Sequence, residues 1–319
     1  MGNGNLLYVL RLGGVKILLL LLVSMAGFTL LHLAPGDPLS QFTLAPGMTA
    51  ERLAQIAHGM GLDQPLWRQY LHWLHGIMTG DWGHSFRDQS PVLGIIVSHL
   101  TATIELGLAA LGISFSLGLG MGLMGALRAG RAVDDVTSVI SIILFSLPTF
   151  WLGLVFIYIF SVRLQWFPTG NFSSPGDRSI VGYLRHLALP ALTLGLVSVP
   201  VWSRYMRTFA GEILKQDQIR TARALGLSSG RIIVHRLLRG ALLPMIPVAG
   251  IYLPTLLSGA LVTETVFSWP GIGRLFLDSL QYRDYPVVMG VLMFSAILVL
   301  VSSTLAELLH HVADPRLRA

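Results

Sequence analysis

Long apolar runs alternate with shorter polar segments along the whole chain. Six of these runs reach the length of roughly 20 residues that a helix needs to cross a bilayer. Pro200, Pro244, Pro247 and Pro254 interrupt the fourth and fifth runs, and buried membrane helices tolerate such breaks. The pattern predicts an all-α polytopic membrane protein with six transmembrane helices. The six runs cover residues 15–33, 101–127, 136–161, 186–203, 241–262 and 286–311.

Composition agrees with this interpretation. Hydrophobic residues make up 53% of the 319 residues and charged residues only 12%, against about 25% charged in soluble domains. The mean hydropathy is +0.67. Cysteine is absent, so the chain has no disulfide, thiolate metal site or cysteine nucleophile. No small-residue cleavage site follows the first run, which therefore predicts a retained helix and not a signal peptide.

The 22 lysines and arginines predict the orientation of the chain in the membrane. If the N-terminus is cytoplasmic, fourteen of them fall in inside segments and eight in the longer outside segments, as the positive-inside rule requires. Charges spread over loops in this way favour membrane topology over binding to nucleic acid. We expect both termini in the cytoplasm and three regions. These are the N-terminus with the first span at 1–33, an extracytoplasmic segment at 34–100, and a five-span core at 101–319 with a cytoplasmic loop at 204–240.

The extracytoplasmic segment contains one amphipathic stretch, Pro65 to Met78. A helix there places His72 and His75 on its polar side with Arg68 and Gln69. Two interpretations stay open, a helix in the outer membrane interface or capping the bundle, and a helix of a soluble domain. The apolar side consists of Leu66, Trp67, Tyr70, Leu71, Trp73, Leu74, Ile77 and Met78.

The second span carries small residues at the spacing of a helix-packing motif. Gly118 and Gly122 are four residues apart, with Gly120 and Gly125 close by. Because glycines let two backbones approach closely, we expect this face to pack against another helix.

No ATP site can be built from this chain. The pattern G-x-x-x-x-G-K-[ST] is absent, and neither of the two lysines, Lys16 and Lys215, follows a suitable glycine run. The sequence also contains no G-x-S-x-G nucleophile elbow and no H-E-x-x-H pair. An enzyme therefore has little support, and we do not expect this chain to hydrolyse ATP.

Three carboxylates fall within or beside the predicted spans: Glu105, Glu264 and Glu307. Ionisable residues in a membrane are candidates for function, and a proton-coupled secondary transporter could use them as relays. The alternative is that each is a carboxylate near a membrane boundary, hydrogen-bonded to its neighbours. His72 and His75 provide at best half of a metal site, and we expect them to be solvated or interfacial.

A basic stretch, Arg220 to Pro244, lies in the predicted cytoplasmic loop. The pattern predicts a helix from Ile213 to Leu225 that ends at Gly226, and a second helix capped by Ser228 or Ser229. Two short helices around a glycine turn are typical of a docking surface, although a merely positively charged loop would explain the charge. The second helix should turn Arg231, His235, Arg236 and Arg239 to one side and Ile233, Val234, Leu237 and Leu238 to the other.

Residues 264–285 are too polar to span the membrane fully and too apolar for a free loop. We expect a partly re-entrant element at the outer face, forming part of the translocation pathway or an outer gate. The residues assigned to this pathway or gate are Glu105, Glu264, Phe267, Trp269, Pro270 and Gly271.

Taken in order, these segments resemble the inner-membrane permease subunits of ABC importers, in the dipeptide, oligopeptide and nickel branch. The general permease signature is Glu-Ala-Ala, three residues, then Gly, and here Arg220 and Thr221 replace the glutamate and first alanine, as in that branch. The resemblance covers nearly the whole chain. It rests on the segments 31–38 (LHLAPGDP), 61–66 (GLDQPL), 80–83 (GDWG), 220–226 (RTARALG), 263–274 (TETVFSWPGIGR), 283–288 (RDYPVV) and 314–318 (DPRLR).

The resemblance implies a subunit of a bacterial inner-membrane importer of peptides or of nickel, free or chelated. Its implied partners are a second permease, two cytoplasmic ATPase subunits that bind ATP and Mg²⁺, an extracytoplasmic binding protein and membrane lipid. No cofactor or metal is implied in this chain itself. Nickel also remains a possible substrate, because four outside residues could interact with it: His72, His75, His84 and Met78. The implied ATPase-docking residues are Arg220, Thr221, Ala222, Arg223, Ala224, Gly226, Leu227, Ser228 and Arg231.

Overall fold

The computed structural model describes residues 3–36, 38–39, 43, 48–173 and 179–313, with side chains described except at 3–13, 247, 251, 253–259 and 306–313. Within these ranges the regular structure is helical, and the only β pairing is one isolated bridge between His84 and Pro91. The α-helices are α1 (Asn3–Leu33), α2 (Ala50–Gly59), α3 (Leu66–Thr79), α4 (Val92–Leu127), α5 (Ala132–Ser146), α6 (Thr149–Phe156), α7 (Ile180–Leu214), α8 (Asp217–Ala224), α9 (Ser229–Ile232), α10 (Arg239–Leu242), α11 (Met245–Val266), α12 (Ile272–Gln281) and α13 (Tyr285–Ala313). Two π-helical turns, Ile157–Arg163 and Ile233–Leu238, follow α6 and α9.

Helices long and apolar enough to cross a membrane account for most of the predicted spans. Within the described residues there are four such helices, Gly14–Leu33, Val92–Leu127, Ile180–Leu214 and Tyr285–Leu305, and one bent pair that could form a fifth. The predicted fifth span corresponds to α11, which includes several positions whose side chains lie outside the described set. The all-α membrane fold is confirmed, and the number of six spans stays a prediction.

The predicted third span is not one continuous helix. α5 ends at Ser146, α6 begins at Thr149, and the two helical axes differ by 97°. Pro148 explains the break, because its ring disfavours a helical conformation at the preceding residue and it has no N–H to donate. Leu147 accordingly has extended dihedrals, with φ −77° and ψ 125°. The predicted third span, 136–161, therefore falls on a bent pair of helices.

The described chain forms two compact units. The first consists of Met1–Thr101 and Ile272–Leu300, and the second of Ala102–Gly271 and Val301–Ala319. In the first unit, a buried cluster combines α4 with α12 and α13, and a second cluster contains Leu31. A buried carboxylate also ties distant segments of this unit together, because Asp284 accepts hydrogen bonds from the Ser85 hydroxyl and from the Phe86 N–H at 3.0 Å.

The amphipathic stretch of the first unit forms α3, close to its predicted bounds. One part of its apolar side packs inward, where the Tyr70 hydroxyl lies 3.0 Å from the Ser24 hydroxyl of α1 and the Tyr70 ring lies 5.4 Å from Phe28. The other part is exposed, at Leu66, Trp67, Leu71 and Met78. The predicted apolar side is therefore divided between packing against α1 and an exposed surface.

In the second unit, the glycine face of α4 packs closely on α7, as the spacing predicts. A Cβ atom on Gly118 would stand 3.0 Å from the Val199 carbonyl oxygen, and one on Gly122 would stand 3.0 Å from the Arg207 backbone nitrogen. Gly120 has open space around it. The contact is continued by a buried cluster that includes Ala126, Trp202, Met206, Ala210 and Ile213.

Candidate functional site: a docking segment and a buried turn

The basic stretch of the second unit, called the docking segment below, runs from Asp217 to Arg239. The structure corrects the prediction of one helix from Ile213 to Leu225, because α7 ends at Leu214 and Gln216 is extended, with φ −71° and ψ 147°. In one straight helix Ile213 and Ile219 would point about 120° apart. The break lets both side chains enter the same buried cluster, where their exposed fractions are 7% and 0%.

Gly226 ends the first docking helix as predicted. Its φ is +74°, in the left-handed region that glycine adopts without strain. Its N–H donates to the carbonyl of Arg223 at 3.0 Å, and the Leu227 N–H donates to the carbonyl of Ala222 at 3.2 Å. These two bonds form a Schellman C-cap. Ser228 then precedes α9 in an extended conformation, in agreement with the predicted N-cap position, although its side chain makes no capping hydrogen bond.

The second docking helix does not keep the predicted faces. Ile232, which did not fit the predicted apolar side, is buried at 4% exposure, whereas Val234 is 57% exposed. The π-helical turn Ile233–Leu238 is the reason, because its hydrogen bonds run from i to i+5 and shift the angular positions of the following residues. Ile232 and Leu237, five residues apart, therefore face the core together.

The exposed side of the docking segment is basic and has one apolar residue at its tip. Arg220, Arg223 and Arg231 are exposed, and Asp217 pairs with Arg220 at 3.5 Å. Leu225 is 75% exposed, directly before Gly226. Sequence reasoning missed Leu225, although an apolar residue beside a left-handed glycine in a polar loop was a usable signal. Of the predicted docking residues, Ala222 is buried against the core, Leu227 is half-buried, and the others, Thr221, Ala224, Gly226 and Ser228 among them, are exposed.

A second feature of the same unit is the buried turn, Thr263–Gly271. α11 ends at Val266, and Ser268 then adopts a positive φ of +53°, which reverses the chain. Phe267 and Trp269 are 1% and 0% exposed. The indole N–H of Trp269 donates to the carbonyl of Ala102 at 2.8 Å, and its ring belongs to a buried cluster with alanines and leucines of α4 and α7. Pro270 is half-buried and Gly271 is buried.

Glu264 is enclosed at the base of this turn. Its exposure is 0%, and its Oε1 accepts a hydrogen bond from the Thr103 hydroxyl at 2.7 Å. Gly271 lies so close that any Cβ there would overlap the carboxylate. Glu105 is half-buried and accepts a hydrogen bond from the Tyr183 hydroxyl at 2.6 Å. The side chain of Glu307 lies outside the described residues. Both described carboxylates are thus held by hydroxyl donors.

A polar loop covers the buried turn, and sequence reasoning did not assign it a role. The Asn171 N–H donates to the carbonyl of Phe267 at 2.9 Å, and a Cβ on Gly170 would stand 3.0 Å from the Phe267 carbonyl carbon. His186 is buried, and its Nδ1–H donates to the carbonyl of Gly170 at 2.9 Å. The Phe172 ring lies 5.2 Å from both the Tyr183 and the Trp269 rings. The buried turn is therefore held in place by contacts with residues 170–172, which are distant from it in the sequence.

Comparison with known proteins identifies the family. The model of the binding-protein-dependent transport system inner membrane component matches residues 117–319, and the model of the N-terminal part of that component matches residues 6–107. The chain belongs to this permease family. The predicted resemblance is confirmed.

Similarity to characterised relatives of the permease extends over nearly the full length. The chain is 36% identical over 333 residues to the dipeptide transport system permease protein DppB of Escherichia coli K12, covering 98% of each chain. It is 36% identical over 312 residues to the oligopeptide transport system permease protein AppB of Bacillus subtilis, covering 97% of this chain and 98% of AppB.

Solved structures support the fold of the permease. The inward-facing MetNI methionine ABC transporter aligns with a TM-score of 0.52 at 22% identity, over 72% of this chain and 97% of that chain. An amino acid ABC transporter with bound histidines aligns with a TM-score of 0.52 at 17% identity, over 68% of this chain and 92% of that chain. At these identities the likeness concerns the fold alone.

The histidines of the permease do not form a metal site within the described residues. His32, His58, His72 and His84 line a cavity of about 560 Å³ in the first unit. Among the residues that the structure describes, no group of three His, Cys, Asp or Glu side chains is arranged to hold a metal ion. His75 is exposed. The hydrogen bond between His58 and Asp63, at 2.6 Å, raises the pKa of His58 and lowers the pKa of Asp63.

Proposed function

We propose that this chain is the permease subunit of an ATP-driven importer that carries dipeptides or oligopeptides across a bacterial inner membrane. The observation that carries the proposal is the similarity over nearly the full length to permeases named for dipeptides and oligopeptides. The di/tripeptide permease DppB of Pseudomonas aeruginosa is also 36% identical, over 93% of this chain. A second permease, two ATPase subunits that bind ATP and Mg²⁺, and an extracytoplasmic binding protein complete the importer.

The docking segment is the proposed contact with an ATPase subunit. Its inward side packs into the core of the unit, so the segment is held firmly, and its outward side presents arginines and Leu225 around the Gly226 turn. An exposed apolar tip surrounded by charge fits a partner that offers an apolar groove with acidic groups at its rim. With both termini in the cytoplasm, as the arginine distribution predicts, this surface faces the ATPase.

The buried turn is the proposed outer gate. Phe267 and Trp269 are closed off from solvent although they lie in a loop between two helices. The hydrogen bonds from Thr103 to Glu264 and from the Trp269 indole to Ala102 keep the turn closed in this conformation. Tyr183, which binds Glu105, has its ring 6.0 Å from the Trp269 ring. Opening the gate would require these bonds to break, which a binding protein and nucleotide together could drive by favouring another state.

A proton-coupled secondary transporter is less well supported. A relay carboxylate must exchange protons with water, but Glu264 is fully enclosed and both described carboxylates serve as acceptors for hydroxyl groups. Nickel is also less well supported, because the described histidines do not form a three-ligand site and the relatives above are named for peptides.

Reconstitution tests the proposal. The permease, its partner permease, the ATPase subunits and the binding protein are placed in proteoliposomes, and uptake of a radiolabelled dipeptide is measured. We expect uptake that requires ATP, stops with vanadate, and persists when Glu105 is changed to Gln. Uptake driven by an imposed pH gradient without ATP, or uptake of Ni²⁺ and no peptide, would contradict the proposal.

A further inference from the structure

An ion pair between a buried carboxylate and an exposed guanidinium joins the turn between α4 and α5 to the C-terminal part of α7. Asp134 is 5% exposed, and its Oδ2 accepts a hydrogen bond from Nη2 of Arg207 at 2.7 Å. The same oxygen accepts from the Gly130 N–H at 3.0 Å. Nη1 of Arg207 donates to the Ser138 hydroxyl at 3.3 Å. One carboxylate therefore holds together a turn, the first part of α5 and the C-terminal part of α7.

The local sequence brings the pair together in little space. Gly130 has a φ of +74°, which allows the tight turn, and Asp134 falls in the first turn of α5, where the helix dipole favours a negative charge. A Cβ atom on Gly125 would stand 3.3 Å from Oδ1 of Asp134 and 3.4 Å from Cδ of Arg207. The glycine thus lets α4 approach closely enough to close the site.

Arg207 lies on the helix that leads to the docking segment. α7 continues from Arg207 to Leu214, about 10 Å along the helix axis. Beyond the break at Gln216, Ile219 belongs to the same buried cluster as Met206 and Ile213. A displacement of the docking segment would therefore act on the end of α7. The ion pair between Arg207 and Asp134 connects this end of α7 to α5.

A buried carboxylate depends strongly on its partner. The Asp134 side chain is 7% exposed and that of Arg207 is 47% exposed, so removal of the guanidinium leaves a poorly solvated charge. Asp135, the next residue, is exposed, and the contacts described above all involve Asp134.

We propose that Asp134 and Arg207 are positioning residues for energy coupling. They hold α7 against α5 so that movement of the docking segment is passed to the membrane helices and not lost as local bending. The inference rests on the proposed function of an ATP-driven permease. The pair acts through α7 and contacts neither the ATPase surface nor the buried turn.

The test uses the complete reconstituted importer and measures, per complex, how many peptides are taken up for each ATP hydrolysed. We expect Asp134→Asn and Arg207→Gln to retain the ATPase subunits but to lower this ratio about two- to thirtyfold, the range seen when coupling residues are changed. Asp135→Asn and Arg128→Gln, which remove exposed charges from the same turn, should keep the wild-type ratio.

A merely structural role has a different signature. It would reduce the amount of assembled complex and leave the ratio per complex at the wild-type value, which would overturn the inference. Asp134→Asn could yield no complex. In that case the inference requires Arg207→Lys to lower the ratio, because lysine keeps the charge but cannot contact both Asp134 and Ser138 through two nitrogens of one planar group. If the wild-type importer shows no ATP-dependent peptide uptake, the proposed function fails. If the wild type transports and the variants keep its ratio, only this inference fails.

Discussion

The second unit contains two turns with similar backbone conformations, one in the exposed docking segment and one in the buried turn. Each follows a helix and contains a residue of positive φ, Gly226 at +74° in the docking segment and Ser268 at +53° in the buried turn. A Cβ on Gly226 would meet nothing within 4 Å, whereas a Cβ on Gly271 would overlap the Glu264 carboxylate. Glycine is therefore needed for conformation in one turn and for space in the other.

The contrast extends to the apolar residues at the two tips. Leu225 is 75% exposed, whereas Trp269 is 0% exposed and hydrogen-bonded through its indole. One exposed apolar residue is ordinary by itself, and Leu225 gains meaning only from its place among the exposed arginines of the docking segment. Complete burial of an indole whose N–H is hydrogen-bonded is typical of a closed structural element. The docking segment should thus respond to changes in binding assays, and the buried turn in stability and gating assays.

The largest expected effect concerns Trp269. Trp269→Ala removes a fully buried side chain and should lower stability by about 3–5 kcal/mol. Thermal unfolding of the purified complex in detergent measures the loss. Trp166→Ala is the control, because Trp166 is 60% exposed and a surface change usually costs no more than about 0.5 kcal/mol. Equal effects of the two variants would contradict the burial of the turn.

A charge reversal should affect the other region without loss of stability. Arg223→Glu with Arg231→Glu would place like charges opposite the acidic groups proposed for the ATPase, and disrupted charged contacts that are desolvated typically cost about 2–5 kcal/mol. Retention of the ATPase on the immobilised permease pair measures the effect. The control is Arg128→Glu with Arg131→Glu, which makes the same change of charge on exposed residues of another turn. This variant should retain the ATPase as the wild type does.

Substitutions of Gly226 and Gly271 should have smaller effects on stability, with a different cause at each position. Gly271→Ala should cost about 1–3 kcal/mol of stability, as overpacking does. Gly226→Ala should cost about 1–2 kcal/mol through its left-handed φ. Asparagine distinguishes the causes, because it tolerates that conformation but is larger than alanine. Gly226→Asn should therefore be milder than Gly226→Ala, and Gly271→Asn harsher than Gly271→Ala, in the same unfolding assay. The reverse order at either position would contradict its assignment.

The smallest effect is expected at a surface pair outside both regions. The pKa of His58 is raised by Asp63, so its contribution to stability is complete below about pH 6.5 and is lost as pH rises through the raised pKa. The pKa of Asp63 is lowered, so its contribution is present above about pH 3.8 and is lost as pH falls through the lowered value. Asp63→Asn should lower the pKa of His58 in an NMR titration and leave ATPase retention unchanged. An unchanged pKa would show that the pair does not form.

Two features with a local cause were predicted correctly from the sequence. Gly226 ends a helix because of its own conformational freedom, and Gly118 and Gly122 mark a packing face because of their spacing. The break at Leu147 also has a local cause in Pro148, and the length of the apolar run concealed it. These signals depend on neighbours within one or two helical turns.

Features set by distant contacts could not be predicted in the same way. The indole of Trp269 reaches the carbonyl of Ala102, 167 residues away, and nothing in either segment specifies that pairing. The faces of the second docking helix were wrong because a regular helix was assumed where a π-helical turn occurs. Pairs such as Asp134 with Arg207, 73 residues apart, become visible only when α5 and α7 are placed together.

The central claim is that the docking segment is an open surface which an ATPase covers, while the buried turn is closed. Because the chain has no cysteine, single cysteines can be introduced and labelled selectively. The measurement is the labelling rate of Leu225→Cys by a thiol reagent in the permease pair, with and without the ATPase subunits, and Trp269→Cys is the reference. The account predicts rapid labelling at 225, strong protection by the ATPase, and slow labelling at 269. Equal labelling at 225 with and without the ATPase, or rapid labelling at 269, would contradict it.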